Sequence, residues 1–293
     1  MRVLVCPTAF KESLSASKAA AALEAGILQA WPEAEVRVLP LSDGGPGLLE
    51  SVGTVGDEGL ERVPTTGPLG EPVTARILWS RPGEVVVEAA ETCGLHLAPP
   101  ESRDPLRAET AGLGIVLSHC GESGAQQVVL GLGGSATVDG GTGMARALGW
   151  QFLDADGRPL PTGGGALMDL HNIVPPEDTS ASVAPDRGVP DTVALADVRS
   201  PLVGPQGAAR SFAAQKGAGP QEIELLEYGL TRLADVAARV LGLDVRDIPG
   251  SGAAGGLGAG CLLFLGAELL PGADWVLDRL GFDSELAAAD LLV

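Results

Sequence analysis

Residues 131–141 read GLGGSATVDGG, between the apolar run QQVVL and the helix-like MARALGW. Five glycines, a Ser, a Thr and an Asp at the mouth of a buried strand describe a turn whose backbone N–H groups are presented to an anion. Two readings compete. Gly131, Gly133 and Ala136 satisfy G-x-G-x-x-A after a strand, and Asp154 follows about twenty residues on, which is the written form of a dinucleotide fingerprint. In that fingerprint the helix opens at the glycines, whereas here TVDGGTG intervenes, and paired glycines such as Gly140 and Gly141 are costly inside a first helical turn. The segment reads better as a long anion-binding loop with its helix starting near Thr142.

Working outward, the chain alternates strand and helix. RVLVCP (2–7) reads as a buried strand, SASKAAAALEAGILQAW (15–31) as an Ala-rich helix with Ser15 or Ser17 as N-cap, and AEVRVLPL (34–41) as a second strand. A β-α-β opening predicts a parallel sheet. SDGGPG (42–47) precedes a helix, and 56–72 reads as loop. VTARILW and EVVVEAA alternate as antiparallel strands of a mixed sheet. Helix is expected over 104–120, strands at QQVVLGL and DTVALADV, and a long amphipathic helix at EIELLEYGLTRLADVAARVLGL. Residues 156–191 read mostly as loop. The Gly-rich 249–260 feeds an apolar helix, and the closing AAADLLV reads as the opening of a buried strand.

Bulk properties exclude several function classes. The 293 residues carry a net charge of −19, an acidic field that repels nucleic acid and anionic membrane surfaces. No apolar run approaches the ~18 residues of a membrane span, and no leader is legible, so a cytoplasmic protein is expected. Cys6, Cys93, Cys120 and Cys261 lie far apart without metal-ligand spacing, as buried thiols of a reducing compartment. An acidic protein that binds an anion needs local N–H donors and a few placed cations. The lysines number three, Lys11, Lys18 and Lys216.

Candidate chemistry gathers at strand ends. Lys11 and Ser13 follow the first strand, where α/β sheets bind ligands; capping and a solvated Lys explain the same residues without a ligand. SDGG and TVDGG each set an Asp, Asp43 or Asp139, before paired glycines, and Asp197 ends a further strand. A carboxylate there can hold Mg²⁺ or accept a hydroxyl proton, while Gly44, Gly45, Gly133, Gly134, Gly140 and Gly141 let a phosphate approach the backbone. A lone D-G-G is also an ordinary turn. Lys216 in QKGAG suits a helix C-terminus through the dipole alone. His96, His119 and Arg103 show no evident partners. No Walker A pattern occurs.

Taken together, FKESLSA, SDGGPG, GLGGSATVDGGTGMARALG, ADVRSPLVGPQGAARSFAAQKGA and PGSGAAGGLGAG resemble the bacterial glycerate kinase family in order and spacing, over residues 1–293. The resemblance implies a two-domain α/β kinase without a P-loop, using ATP and Mg²⁺ to phosphorylate D-glycerate, with 2-phosphoglycerate favoured over 3-phosphoglycerate. It implies a discontinuous Rossmann-like domain with a parallel sheet (1–70 and 278–293), and an inserted α/β domain with a mixed sheet (71–277). Lys11, Asp43, Asp197 and Lys216 would be catalytic, with Asp43 and Asp197 holding Mg²⁺. Asp139 stands third as base or metal ligand. Ser13, Gly44, Gly45, Gly133, Gly134, Ser135, Thr137, Asp139, Gly140, Gly141, Gly255 and Gly256 would line the substrate or phosphate site.

The chain departs from the family pattern at Thr8, Ala9 and Glu12, where relatives read D-S-F-K-G-S, and at Pro46 and Leu48, where they read D-G-G-E-G-T. Relatives also continue past AAADLLV, so a member lacking the family's C-terminal segment is expected. Two alternatives stay open: a divergent member that binds ligand without turnover, and an NAD(P)-dependent oxidoreductase using 131–136 with Asp154. Oligomeric state is not legible, with a homodimer kept open.

Overall fold

The computed structural model describes residues 1–10, 13–53, 59–176 and 190–293. Strand β1 (Arg2–Val5) leads to helix α1 (Ala16–Ala30), whose N-terminus Ser15 caps by accepting the Lys18 N–H, and then to β2 (Glu35–Val38). The short α2 (Leu48–Val52) follows the SDGGPG turn. Strands β3 (Leu60–Thr66), β4 (Pro72–Arg81) and β5 (Glu84–Glu88) then run as a meander into α3 (Ala90–Cys93), α4 (Ala111–Glu122) and β6 (Gln127–Gly131). Helix α5 (Thr142–Ala147) precedes the hairpin of β7 (Gln151–Leu153) and β8 (Asn172–Val174). The remainder is β9 (Asp191–Leu195), α6 (Ala208–Phe212), α7 (Pro220–Leu241), α8 (Ala253–Gly260), β10 (Glu268–Leu270), α9 (Gly272–Leu280), α10 (Phe282–Ala288) and β11 (Leu291–Leu292).

Two sheets organise these elements. A three-stranded parallel sheet has the order β11-β1-β2, with strands from both ends of the chain. The six-stranded sheet has the order β10-β9-β6-β5-β4-β3, parallel from β10 to β5 and antiparallel from there to the β3 edge. The α/β class and the mixed sheet therefore stand as expected. Three details differ. Residues 60–66, expected as loop, pair along β4 at seven positions as β3 of the six-stranded sheet, because Val63 and Thr65 bury alternate side chains there. The expected helix over 104–120 starts only at Ala111. The closing strand β11 is not buried: Leu291 and Leu292 are exposed at the sheet edge.

The six-stranded sheet is covered on both faces, as its continuous apolar strands require. Val85, Val87, Val128 and Leu130 pack under Leu113, Val116, Met144 and Leu257 of α4, α5 and α8. On the other face, Leu78, Val86, Val129 and Leu195 meet Leu48 and Leu49 of α2 and Val276 of α9. A part-buried ion pair between Arg279 of α9 and Glu84 of β5 closes this second face. A further core joins α6, α7 and the β7–β8 hairpin around Trp150, Phe152 and Phe264, whose rings meet edge to face with centroids 5.1 and 5.4 Å apart. Such ring pairs contribute about 0.5–1.5 kcal/mol each beyond their burial. Among the described residues, no helix is long and apolar enough to cross a membrane.

Candidate functional site

Register brings the strand ends into one row. Glu88 of β5 lies opposite Gly131 of β6, which lies opposite Leu195 of β9. The row continues one residue further, where Ala89 N–H donates to Gly131 O and Leu132 N–H to Leu195 O. Gly133 and Asp197 each follow two residues past their strand's place in the row, at the carboxyl edge where α/β sheets bind ligands. The turn after β2 lies across this edge. A Cβ on Gly44 would sit 2.9 Å from Leu195 Cβ, and one on Gly133 would sit 2.7 Å from Gly45 Cα. These glycines permit close seating, so Gly45 and Pro46 of the turn after β2 reach Gly133 and Gly134 of the six-stranded sheet's edge. Within the turn, Gly44 N–H donates to Ser42 Oγ and Gly45 N–H to Asp43 Oδ1.

The loop 131–141 divides into an open part and an internal part. Gly134 has φ +65°, and the N–H groups of Gly133, Gly134 and Ser135 donate to no acceptor among the described residues. They form the concavity that favours an anion. Beyond Ser135 only some donors are engaged, the N–H groups of Thr137, Val138 and Asp139 also donating to no acceptor among the described residues. Ala136 N–H bonds Cys93 O and Gly140 N–H bonds Gly255 O. The Asp139 carboxylate accepts Gly141 N–H on Oδ1, and Thr110 N–H, Thr110 Oγ1–H and Gly143 N–H on Oδ2, at 2.8–3.1 Å. Within the 133–141 loop the N–H groups of Ala136, Gly140 and Gly141 are thus taken up internally. Asp139 is fully buried and serves as the loop's internal anion, shaping the start of α5 at Thr142 as the glycine spacing predicted.

Lys216 also faces inward. Its side chain is 3 % exposed, and Nζ donates to Ser135 Oγ at 2.9 Å and to Thr137 O at 2.7 Å. The ammonium therefore braces the loop from beneath instead of presenting charge at the edge. Since Ser135 Oγ accepts from Nζ, its own proton is left to donate elsewhere. Burial lowers the Lys216 pKa from 10.5 to about 8, against the raising effects of Cys93 and Asp139. Below pH 8 both folded and unfolded chains carry the proton. Between about 8 and 10.5 the unfolded chain binds more protons, so stability rises with pH across that window. The expected gain is on the order of 3 kcal/mol, and Lys216→Met should abolish this slope in chemical unfolding followed at several alkaline pH values.

Gly255 and Gly256, expected to touch phosphate, pack instead against the back of the loop. Gly255 has φ +73°, and a Cβ there would lie 1.9 Å from Thr137 O. The adjacent Ala254 holds φ +51°, the one non-glycine left-handed residue among those described. Thr137, Gly140 and Gly141 are buried with them. Gly255→Ala adds left-handed strain to a backbone clash, with an expected cost of roughly 2–4 kcal/mol. Denaturant unfolding checks it; a loss within about 0.5 kcal/mol, ordinary for a surface change, would contradict the packing.

Other expected residues distribute as follows. Asp43 and Asp197 are both exposed, and Asp197 makes no hydrogen bond or ion pair among the described residues. Ser13 is exposed, its N–H donating to Phe10 O. Lys11 lies outside the described residues. Arg103 donates to Ala98 O and Gln215 O, and His119 Nε2 meets Glu61 Oε1 at 2.7 Å, so both have partners within the protein. Asp154 accepts the N–H groups of Asp156 and Arg158 within its own turn on the β7–β8 hairpin, which removes the residue a dinucleotide reading needs. Sequence reasoning passed over Glu88 and Thr110. Glu88 follows the apolar run Val85–Val87 at the end of β5, and an acid at that position was the available signal. Thr110 stands far upstream in an unremarkable turn and carried none.

A profile of the glycerate kinase family matches residues 3–293. The chain is 42 % identical over 295 residues to glycerate kinase of Bacillus subtilis (strain 168), covering 100 % of this chain and 76 % of that one. It is 40 % identical over 299 residues to glycerate 2-kinase of Escherichia coli (strain K12), with the same coverage, 100 % and 76 %. A crystal structure assigned to glycerate kinase 2 of Salmonella typhimurium LT2 superposes with a TM-score of 0.82 at 39 % identity, covering 100 % of this chain and 77 % of that one.

Proposed function

The chain belongs to the glycerate kinase family and is a kinase that phosphorylates glycerate; on that premise we propose that it transfers the γ-phosphoryl group of ATP to the 2-hydroxyl of D-glycerate, in the cytoplasm. Family membership leaves no place for the oxidoreductase alternative. The finer reading is supported by position: Gly133 and Asp197 follow the ends of neighbouring parallel strands, the Asp43–Gly45 turn is seated across that edge through Gly44 and Gly45, and both carboxylates are exposed. The 2-hydroxyl is favoured by the name of the Escherichia coli relative, a glycerate 2-kinase.

Phosphoryl transfer demands positioning and charge neutralisation more than covalent chemistry. The nest at Gly133–Ser135 receives an anion, either nucleotide phosphate or the glycerate carboxylate, and the Ser135 hydroxyl adds a donor oriented by Lys216. Lys216 thus acts as a positioning residue. Mg²⁺ fits the donor set: magnesium is held by one or two carboxylates plus substrate phosphates, and Asp43 and Asp197 supply carboxylates of that kind. Among the described residues no group of three or more His, Cys, Asp or Glu could cage a metal without the substrate. When bound, the ion neutralises charge on the phosphates. Whichever of Asp43 and Asp197 does not hold it accepts the hydroxyl proton.

Steady-state ADP release, with D-glycerate compared against L-glycerate, glycolate and lactate in the presence of ATP and Mg²⁺, tests this reading. Turnover confined to D-glycerate is expected. Equal turnover of glycolate, which lacks a second hydroxyl, would reject the substrate assignment.

A further inference from the structure

Glu88 has a place that the reaction itself does not explain. It ends β5, and its side chain shares a sheet face with Val86 and Glu84, toward α2 and α9. The residue is 4 % exposed. Oε1 accepts the Gly47 N–H at 3.1 Å and the Leu49 N–H at 2.8 Å, both from the segment that carries the Asp43 turn onto the strand-end edge. Gly47 has φ +98°, so the chain reverses at the point where Glu88 grips it. The turn is also held by contacts within itself and by close packing against Gly131, Gly133, Gly134, Leu195 and Gly272.

We infer that Glu88 is a positioning residue, which seats the Asp43–Gly45 turn on Gly133–Gly134 by holding Gly47 and Leu49. The inference rests on the reading of this edge as the phosphoryl-transfer site. Moving Asp43 by about 1 Å would suffice to lose a large part of the rate. Glu88 sits between charged neighbours on every side. Glu91 of α3 opposes its ionisation and Arg76 of β4 favours it, while Glu50 of α2 acts on Arg76 and Asp43 belongs to the turn itself. Burial, the largest influence, raises its pKa from 4.5 to about 7. An ionised acceptor makes the stronger hydrogen bonds, so the turn is held more firmly as pH rises through 7. Stability runs the other way: the folded chain retains the Glu88 proton longer, so stability falls between about pH 4.5 and 7.

The test compares Glu88→Ala and Glu88→Gln with the parent chain, by amide hydrogen exchange and by kcat/KM over pH 6–8. Glu88→Ala should speed exchange at Gly47 and Leu49 while leaving Val86 and Val129 protected, and should lower kcat/KM by about 10²-fold. Glu88→Gln keeps an acceptor oxygen, so it should restore both amides and most of the rate, but lose the rise in kcat/KM near pH 7. Unchanged exchange at Gly47 and Leu49 in Glu88→Ala would overturn the inference. So would a loss of rate that Glu88→Gln fails to restore, since that marks a merely structural residue. If Glu88→Ala does not fold, Glu88→Gln decides alone, and a parental pH profile in it would overturn the role. Absence of glycerate turnover in the parent chain would instead reject the proposed reaction, and the amide exchange would still judge Glu88.

Discussion

Asp139→Ala is expected to destabilise the protein by about 3–5 kcal/mol, the cost of leaving buried donors without their ionised partner. Four donors converge on this carboxylate: the N–H groups of Thr110, Gly141 and Gly143 and the Thr110 hydroxyl. None has an alternative in a site that excludes water. Asp139→Asn keeps the volume and one acceptor oxygen. With that oxygen in the place of Oδ2, only Gly141 N–H loses its acceptor, so a smaller cost of roughly 1–3 kcal/mol is expected. Guanidinium unfolding midpoints for the two variants check both values. Equal and small effects would mean that Asp139 does not organise the loop. An activity loss with parental stability would return it to the list of reacting groups.

Asp43→Asn and Asp197→Asn form the second expected result, each lowering kcat by roughly 10²–10⁴-fold, the range for loss of a positioned acid or base. Both side chains are exposed, so stability should stay within about 0.5 kcal/mol. Magnesium dependence separates their roles. The variant that has lost the metal ligand should regain rate as Mg²⁺ is raised, because the substrate phosphates still hold the ion weakly. The variant that has lost the base should keep its Mg²⁺ requirement and remain slow at saturation. If both variants turn over like the parent, neither carboxylate touches the reacting atoms.

Much of the architecture was legible because its signals are local. The β-α-β opening, the alternating β4–β5 pair and the delayed start of α5 at Thr142 follow from hydrophobic period and from paired glycines within a few residues. What failed depended on distant partners. A D-G-G turn looks the same whether its carboxylate meets substrate or folds back onto its own amides, and Thr110 decides the matter for Asp139. Lys216 stands at the end of a short 3₁₀ turn, where a cation needs no explanation, yet its ammonium crosses to Ser135, 81 residues away in sequence. Gly255 reads like a phosphate cradle but is small because Thr137 O presses against it. Glu88 passed for the polar member of an alternating strand. The strand-end positions of Asp43, Asp197 and Gly133 were predictable, since the ends of parallel strands are set by the same local pattern as the strands.

Phosphorus NMR of the reaction of the purified chain with ATP, Mg²⁺ and D-glycerate tests the central claim most directly. One new phosphomonoester resonance, that of 2-phosphoglycerate, should grow as the γ-phosphate signal falls, and it should be slowed at least about 10²-fold in Asp43→Asn and Asp197→Asn. A 3-phosphoglycerate resonance, or a 2-phosphoglycerate resonance that grows at the parental rate in both variants, would contradict it.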